Sequence, residues 1–450
     1  MKSLIPFASI FFLLASCGRY LDMKPDRTMA IPQTINDCEL LLNDYSTMNT
    51  AYPTFGQIAS DDYYLTVQNW NAISVIDERN VYIWNDEPPI LATQWMNAYK
   101  VNFQANLVLE TLSKLPDDGS GRKDRLAAEA YFFKAFAVHQ LIDVFTVPYD
   151  EGTAPHELGV PIRNATDLNE KSVRPTLEES YRHVEQCYQQ AVSGLPVNNS
   201  SPGRPTLAAG YAGLARLYMN MDDFEKAAAY ADSALSLKAD LIDFNELPVS
   251  ASLPFKRFNE EVVFAASTPS SSALGQSYAK IDTQLYQSYA EEDLRKVAFF
   301  RANTGANAGT FAFKGSYDNS NVGIFVGLTV PELYLIRAEA SLRTGNREQA
   351  LSDINRLLAA RWKSGTFRPI TYADNNLLLR TILAERRKEL VFKGRRWPDL
   401  KRLNRDPQTA TVLTRSLDGT SYQLSPGSLK YAILIPEIVI QESYVIQNKR

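Results

Sequence analysis

Apolar residues return every three or four positions over most of this chain, and that pattern predicts a mainly helical protein. Leu126, Ala130, Phe133, Ala137 and Leu141 fall at i, i+4, i+7, i+11 and i+15, one continuous stripe on a helix that closes near Val147-Pro148. Helical spacing also marks Asp37 to Tyr45, and Thr93 to Leu115 with Pro116 as its stop. Thr176, with Glu179 three residues on, has the form of a capping box and opens a helix that Gly194 and Pro196 end near Leu195. A last stripe, Leu379, Ile382, Leu383, Arg386 and Leu390, carries an arginine on its apolar face.

Two stretches repeat each other. In 205–238, Leu214, Ala215, Tyr218, Ala227, Ala234 and Leu235 sit at the spacing of a tetratricopeptide unit, with Asp222-Asp223-Phe224 as the turn between two helices. In 331–361, Leu333, Ala338, Gly345-Asn346, Ala350 and Leu357 reproduce the pattern. Two units are too few for a stable solenoid. The helices near 93–115, 126–145 and 176–195 are therefore read as diverged copies. The expected fold is mostly α: a tetratricopeptide-like helical scaffold over about 93–240 and 328–405, with a loop-rich half and a few short strands.

The loop-rich half is expected in two regions, about 50–90 and 241–327, where periodicity lapses and Ser, Gly, Asn and aromatic residues accumulate. Strands are expected at 261–265, 311–313 and 324–328. Long irregular segments on a rigid scaffold are where binding residues concentrate.

The N-terminus has a different pattern. Lys2, an apolar run from Leu4 to Leu14, and then Leu14-Ala15-Ser16-Cys17-Gly18 follow the order of a secretory signal with a cysteine at the cut site. That box resembles the lipobox of bacterial lipoproteins. Residues 1–16 are read as the signal, 17–32 as the lipidated N-terminus and tether, and 33–450 as a single domain. The apolar run is too short to span a bilayer.

Composition narrows the chemistry. Apolar content of 45% and charged content of 22% are those of a folded protein, and a net charge of −4 offers nothing to nucleic acid. Cys38 and Cys187 lack metal-ligand spacing; they could pair in an oxidising compartment, but are read as unpaired or buried thiols. His139, His156 and His183 are scattered, so no metal site is expected. There is no GxSxG and no phosphate-binding loop, and adjacent acids such as Asp61-Asp62 and Glu291-Glu292-Asp293 say nothing of the separation that a glycosidase requires. No enzymatic activity and no cofactor are expected. Glu129 and Glu339, each within an alanine-rich helix, are read as carboxylates paired to arginines. Arg386, Arg387, Arg395, Arg396, Trp397 and Asp399 are read as one structural network.

The aromatics of the irregular regions are the remaining candidates. A ring stacks on the apolar face of a sugar while Asn, Asp and Arg bond its hydroxyls. Trp70, Trp84, Tyr286 and Tyr317 are taken as the ligand-binding residues on ring type and position, with Asn303, Asn307, Asn319 and Asn321 nearby.

The assembled pattern resembles the SusD/RagB family of outer-membrane nutrient-binding lipoproteins. The lipobox at Cys17, Arg125 to Ala135 with Asp143-Val144-Phe145, Gly203-Arg204-Pro205-Thr206, Arg337-Ala338-Glu339-Ala340, Glu385 to Leu390 with Gly394 to Leu400, and Ile435-Pro436-Glu437 carry the resemblance in order. Lys393 stands where the family often has an acid, and the chain stops at Arg450 without the common Asn-Pro-Gly-Tyr ending. The resemblance implies a lipid-anchored protein on the outer membrane, facing the cell exterior. It would bind oligosaccharide or polysaccharide and deliver it to a TonB-dependent, SusC-like transporter; peptide capture for the same kind of transporter is the alternative. Replacing Cys17 with Ser is expected to move the protein from the membrane to the soluble fraction, which fractionation and intact mass will check.

Overall fold

The computed structural model describes residues 32–50, 52–443 and 445–450. Cys17, the signal segment and nearly all of the tether lie outside the described residues. Ten helices of eight residues or more are seen among the described residues. They are α1 (Ile35–Leu42), α2 (Thr93–Lys114), α3 (Arg122–Phe145), α4 (Leu177–Val192), α5 (Leu207–Asn220), α6 (Phe224–Leu237), α7 (Val330–Arg343), α8 (Arg347–Ala359), α9 (Asn375–Glu389) and α10 (Arg396–Leu403).

Local chemistry sets their starts. Thr34 with Asp37 caps α1, and Thr176 with Glu179 forms the expected capping box on α4. The Asp223, Thr329, Asn346 and Asp374 side chains accept from the first-turn N–H groups of α6, α7, α8 and α9.

From α2 to α8 each helix packs on the next in sequence, and α9 closes against α7. The hairpins α5–α6 and α7–α8 are the two repeat units read from the sequence, and α6 lies against α7 although 92 residues of chain separate them. Small residues permit the close spacing. A Cβ on Gly213 would overlap the Tyr188 ring, so α4 and α5 approach only because that position has no side chain. Leu335, Ala338, Ala350, Ile354, Leu357, Leu378 and Ile382 form a separate core between α7, α8 and α9.

The strands form four antiparallel pairs: β1 (Tyr63–Tyr64) with β3 (Lys280–Ile281), β2 (Val262–Phe264) with β6 (Leu328–Thr329), β4 (Phe300–Ala302) with β5 (Phe311–Phe313), and β7 (Leu413–Leu417) with β8 (Thr420–Leu424). The expected strand at 324–328 is not continuous. Phe325 makes one bridge to Ser267, and regular pairing begins only at Leu328, because the β2–β6 register shifts between Val262 and Phe264. The first irregular region holds short helices at Phe55–Ala59, Val67–Asn71 and Ile76–Tyr82.

Buried ion pairs join these parts. Glu129 pairs with Arg204 and with Arg125, and Glu339 receives both terminal nitrogens of Arg402 at 2.7 and 2.8 Å, as the sequence suggests. Arg386 and Arg402 both bind Asp399, Arg395 binds Asp143 at 2.8 Å, and Arg396 binds Asp61 through two nitrogens. Arg216 of α5 grips Glu332 of α7 and donates to the carbonyls of Val326 and Gly327. Cys38 and Cys187 are both free and buried.

His139 sits fully buried beside this network, 3.8 Å from Asp143 and 3.1 Å from Asn220. Burial, only partly offset by Asp143, lowers its imidazole from 6.5 to about 4. Between those values the unfolded chain takes up a proton that the folded chain refuses, so stability falls as pH falls through the window, by up to about 3 kcal/mol. Urea midpoints from pH 6.5 down to pH 4 are expected to fall less steeply in His139→Gln than in the parent protein.

Candidate functional site

The four aromatic residues singled out from sequence separate into two groups. Trp84 and Tyr317 are core residues, with 5% and 1% exposure, and neither presents a ring face for stacking. Trp84 holds an unusual positive φ of 54°, donates its indole N–H to the Ala59 carbonyl at 3.0 Å, and lies under the Arg415 guanidinium. Tyr317 donates to the buried Glu261 carboxylate at 2.5 Å, with the Lys393 ammonium over its ring. Aromatic side chains with a polar handle fill cores as readily as they line sites, and the sequence pattern does not separate the two uses.

Trp70 and Tyr286 are half-buried and reach the surface. Trp70 is pinned by an indole bond to the Arg79 carbonyl and by the Arg79 guanidinium 5.4 Å from its ring. Tyr286 stacks on Phe311 at a 3.5 Å centroid separation. They do not share one face. Side chains alternate across the β4–β5 ribbon, so Phe311 and Tyr286 lie on one side and Arg301, opposite Ala312, on the other.

Arg301 belongs to a polar patch that the sequence reading missed. Its Nε donates to Gln276 Oε1 at 3.1 Å, and the Gln276 amide donates to the Phe313 carbonyl and to Asn321 Oδ1 at 2.7 and 2.9 Å. Asn69, next to Trp70, reaches the Ser277 carbonyl at 3.5 Å, so the Trp70 helix borders this patch. Asn321 is the one asparagine of the four whose side chain joins it. Asn303 caps the β4–β5 turn through Thr310, and Asn319, at φ 52°, donates to the Phe255 carbonyl.

Two clefts lie on the protein surface, and the first reaches Val322 and Gly323, next to Asn321 of the patch. The first, of about 470 Å³, is polar. Ser46, Thr47, Thr50, Asn97 and Lys100 face Ser267, Thr268, Ser270, Asp318 and Ser320 across it. Four chain segments distant in sequence therefore converge hydroxyls, an amide, an amine and a carboxylate on one space. Asp318 is neutralised by Arg257 at 3.0 Å, and the Arg257 guanidinium lies against both the Tyr45 and the Phe258 ring, 4.3 and 4.7 Å from their centroids. Phe258, 38% exposed and held at φ 54°, is the one phenylalanine among the exposed large apolar side chains of the described residues. Its only sequence cue is its place beside Arg257.

The second cleft, of about 770 Å³, is mostly apolar and runs along α2 past Trp95, Met96, Tyr99, Phe103, Leu168 and Ile438. Asn97 and Lys100 line both clefts and form the ridge between them. No cluster of three or more metal-ligating side chains is found among the described residues. The arrangement is suited to holding a hydroxylated ligand by many weak donors and acceptors.

The fold and this site can now be set against known proteins. A family model described as "Starch-binding associating with outer membrane" matches residues 19–219, and one described as "SusD family" matches residues 330–431. The chain belongs to the SusD/RagB family. As a SusD-family protein it is similar to SusD-like protein P2 of Formosa agariphila, 25% identical over an alignment 391 positions long that covers 72% of this chain and 74% of the relative. A SusD superfamily protein from Bacteroides thetaiotaomicron matches the fold with a TM-score of 0.75 at 21% identity, covering 93% of this chain and 100% of the other. The surface glycan-binding protein A from Bacteroides fluxus matches with a TM-score of 0.71 at 18% identity, covering 93% and 99%.

The two buried rings are expected to matter for stability. Trp84→Ala leaves a large cavity and should cost about 3–5 kcal/mol, and Tyr317→Phe, which leaves Glu261 one donor short, about 1–3 kcal/mol. Trp70→Ala, at the half-buried surface, should cost less than either, as read by urea melts of the three variants.

Proposed function

We propose that this SusD-family protein is a non-catalytic, lipid-anchored glycan-capture protein of the outer-membrane surface. In this reading Cys17 carries the lipid, and the loop-rich half binds oligosaccharide or polysaccharide at the cell exterior. The ligand then passes to a TonB-dependent, SusC-like transporter. The observation that carries the reading is the polar cleft, where hydroxyls and amides from four separate segments converge. Sugar hydroxyls are matched by this kind of lining, and the likeness to a surface glycan-binding protein supports it. Of the aromatic residues proposed from sequence, Trp70 remains as a ring contributor at the margin of the site, whereas Tyr286 stands apart from it across the β4–β5 ribbon.

A second reading is peptide capture, and one observation favours it: the cleft of about 770 Å³ on α2 is large and apolar, as peptide side-chain pockets are.

The soluble chain from Gly18 onward is expected to be retarded in native gels cast with one or more glycans. Ser270 is exposed on the cleft wall, so Ser270→Trp should fill the cleft, weaken that retardation about tenfold or more and leave the melting temperature unchanged. Retardation that survives Ser270→Trp would remove the cleft from the reading, and no retardation by any glycan would transfer it to peptide.

A further inference from the structure

The loop-rich face carries positive charge that the protein does not neutralise. Most arginines of this chain are matched to carboxylates, but Arg301 is not. It is exposed, its Nε is held by Gln276, and its two terminal nitrogens have no protein acceptor among the described residues. Close behind it lies Lys280. That ammonium is fully buried, and its acceptors are the carbonyls of Ser277 and Tyr278 at 2.9 and 3.2 Å. Burial, and then the Arg301 charge, lower the Lys280 ammonium from its ordinary range. Two cations are thus kept as neighbours with no acid between them, an arrangement that costs free energy in the empty protein.

The adjacent polar cleft adds a third. Its one carboxylate, Asp318, is paired to Arg257, whereas Lys100 is exposed on the ridge and makes no ion pair among the described residues. Two acids lie in its surroundings without forming an ion pair with it: Asp44, which bonds the Ser46 hydroxyl and the Thr47 N–H, and Glu442, which lines the apolar cleft with it. A net charge of −4 for the whole chain makes this local excess of positive charge a selective feature of the face.

Resting on the glycan reading above, we infer that the ligand is an acidic polysaccharide, with its anionic groups received by Arg301 and Lys100. The fork of Arg301, whose Nε is held by Gln276, itself held by Asn321, suits a carboxylate or a sulfate ester. Lys100 supplies a point charge at the cleft mouth. Trp70, bordering the patch, offers part of a ring to the sugar between charges.

The experiment compares the soluble chain from Gly18 onward on polygalacturonate and alginate, which carry carboxylates, on carrageenan, which carries sulfate esters, and on carboxyl-reduced polygalacturonate and laminarin, which are neutral. Retardation by one acidic class, lost on carboxyl reduction or absent from the neutral polymers, and weakened by added salt, is the expected result; the polymer that binds distinguishes carboxylate from sulfate. Arg301→Gln and Lys100→Gln should each weaken that binding about tenfold, with Arg301→Lys restoring part of it. Unchanged melting temperatures will show that the variants fold. Equal binding to the neutral polymers, or full binding by both Gln variants, would overturn the inference and leave the glycan reading standing. Binding to none of the polymers would overturn both.

Discussion

Glu261 holds the two halves of this protein together. It stands at the start of β2 with no exposed surface, and its carboxylate accepts from Arg361 at 2.7 Å, from the Ile242 N–H at 2.9 Å and from the Tyr317 hydroxyl at 2.5 Å. Its carbonyl accepts from Val330, the first residue of α7. Arg361, just beyond α8, also holds Glu389 of α9, and Glu389 in turn holds Arg295 of the loop-rich half. Glu261, through its carboxylate and its carbonyl, thus fixes where the irregular chain leaves and re-enters the helical stack. Removing one partner of such a buried pair costs about 3–5 kcal/mol, because the other charge is left without compensation. The polar cleft depends on this joint, since Ser267 to Ser270 and Asp318 to Ser320 hang from the chain on either side of it.

Much of the scaffold was legible in the sequence, for local reasons. The stripe from Leu126 to Leu141, the capping box at Thr176 and the alanines of the two repeat units are short-range signals, and each marks a helix or hairpin that is present. The pairing of Glu129 and Glu339 with arginines was legible too, since a charge within an apolar helix requires an opposite charge. The β7–β8 hairpin was missed although Asp418-Gly419, at φ 49° and 76°, is a standard turn pair for tight hairpins. The strand at 324–328 was overextended because apolar runs of that length fit a buried strand and a buried loop equally well.

The site was far less legible. Trp84 and Tyr317 have the composition and neighbourhood of binding residues, yet their polar atoms are turned inward to the Ala59 carbonyl and to Glu261. Nothing along the chain distinguishes that arrangement from an exposed ring. The residues that do converge, Ser46, Asn97, Thr268 and Ser320, are individually ordinary and are brought together only by the tertiary fold. Arg301 was invisible for another reason: that its guanidinium meets Gln276 and no carboxylate, as Arg368 and Arg380 also meet none among the described residues, is known only once the chain is folded.

The ridge of Asn97 and Lys100 has a consequence of its own. These two residues lie one helical turn apart on α2 and are walls of both the polar and the apolar cleft. An occupant of either space touches side chains that the other occupant must also meet. Linkage makes such an arrangement symmetric: whatever factor a molecule in the apolar cleft applies to affinity in the polar one, the polar ligand returns in full. Any coupling between the two spaces would therefore pass through a single helical turn and need no moving domain.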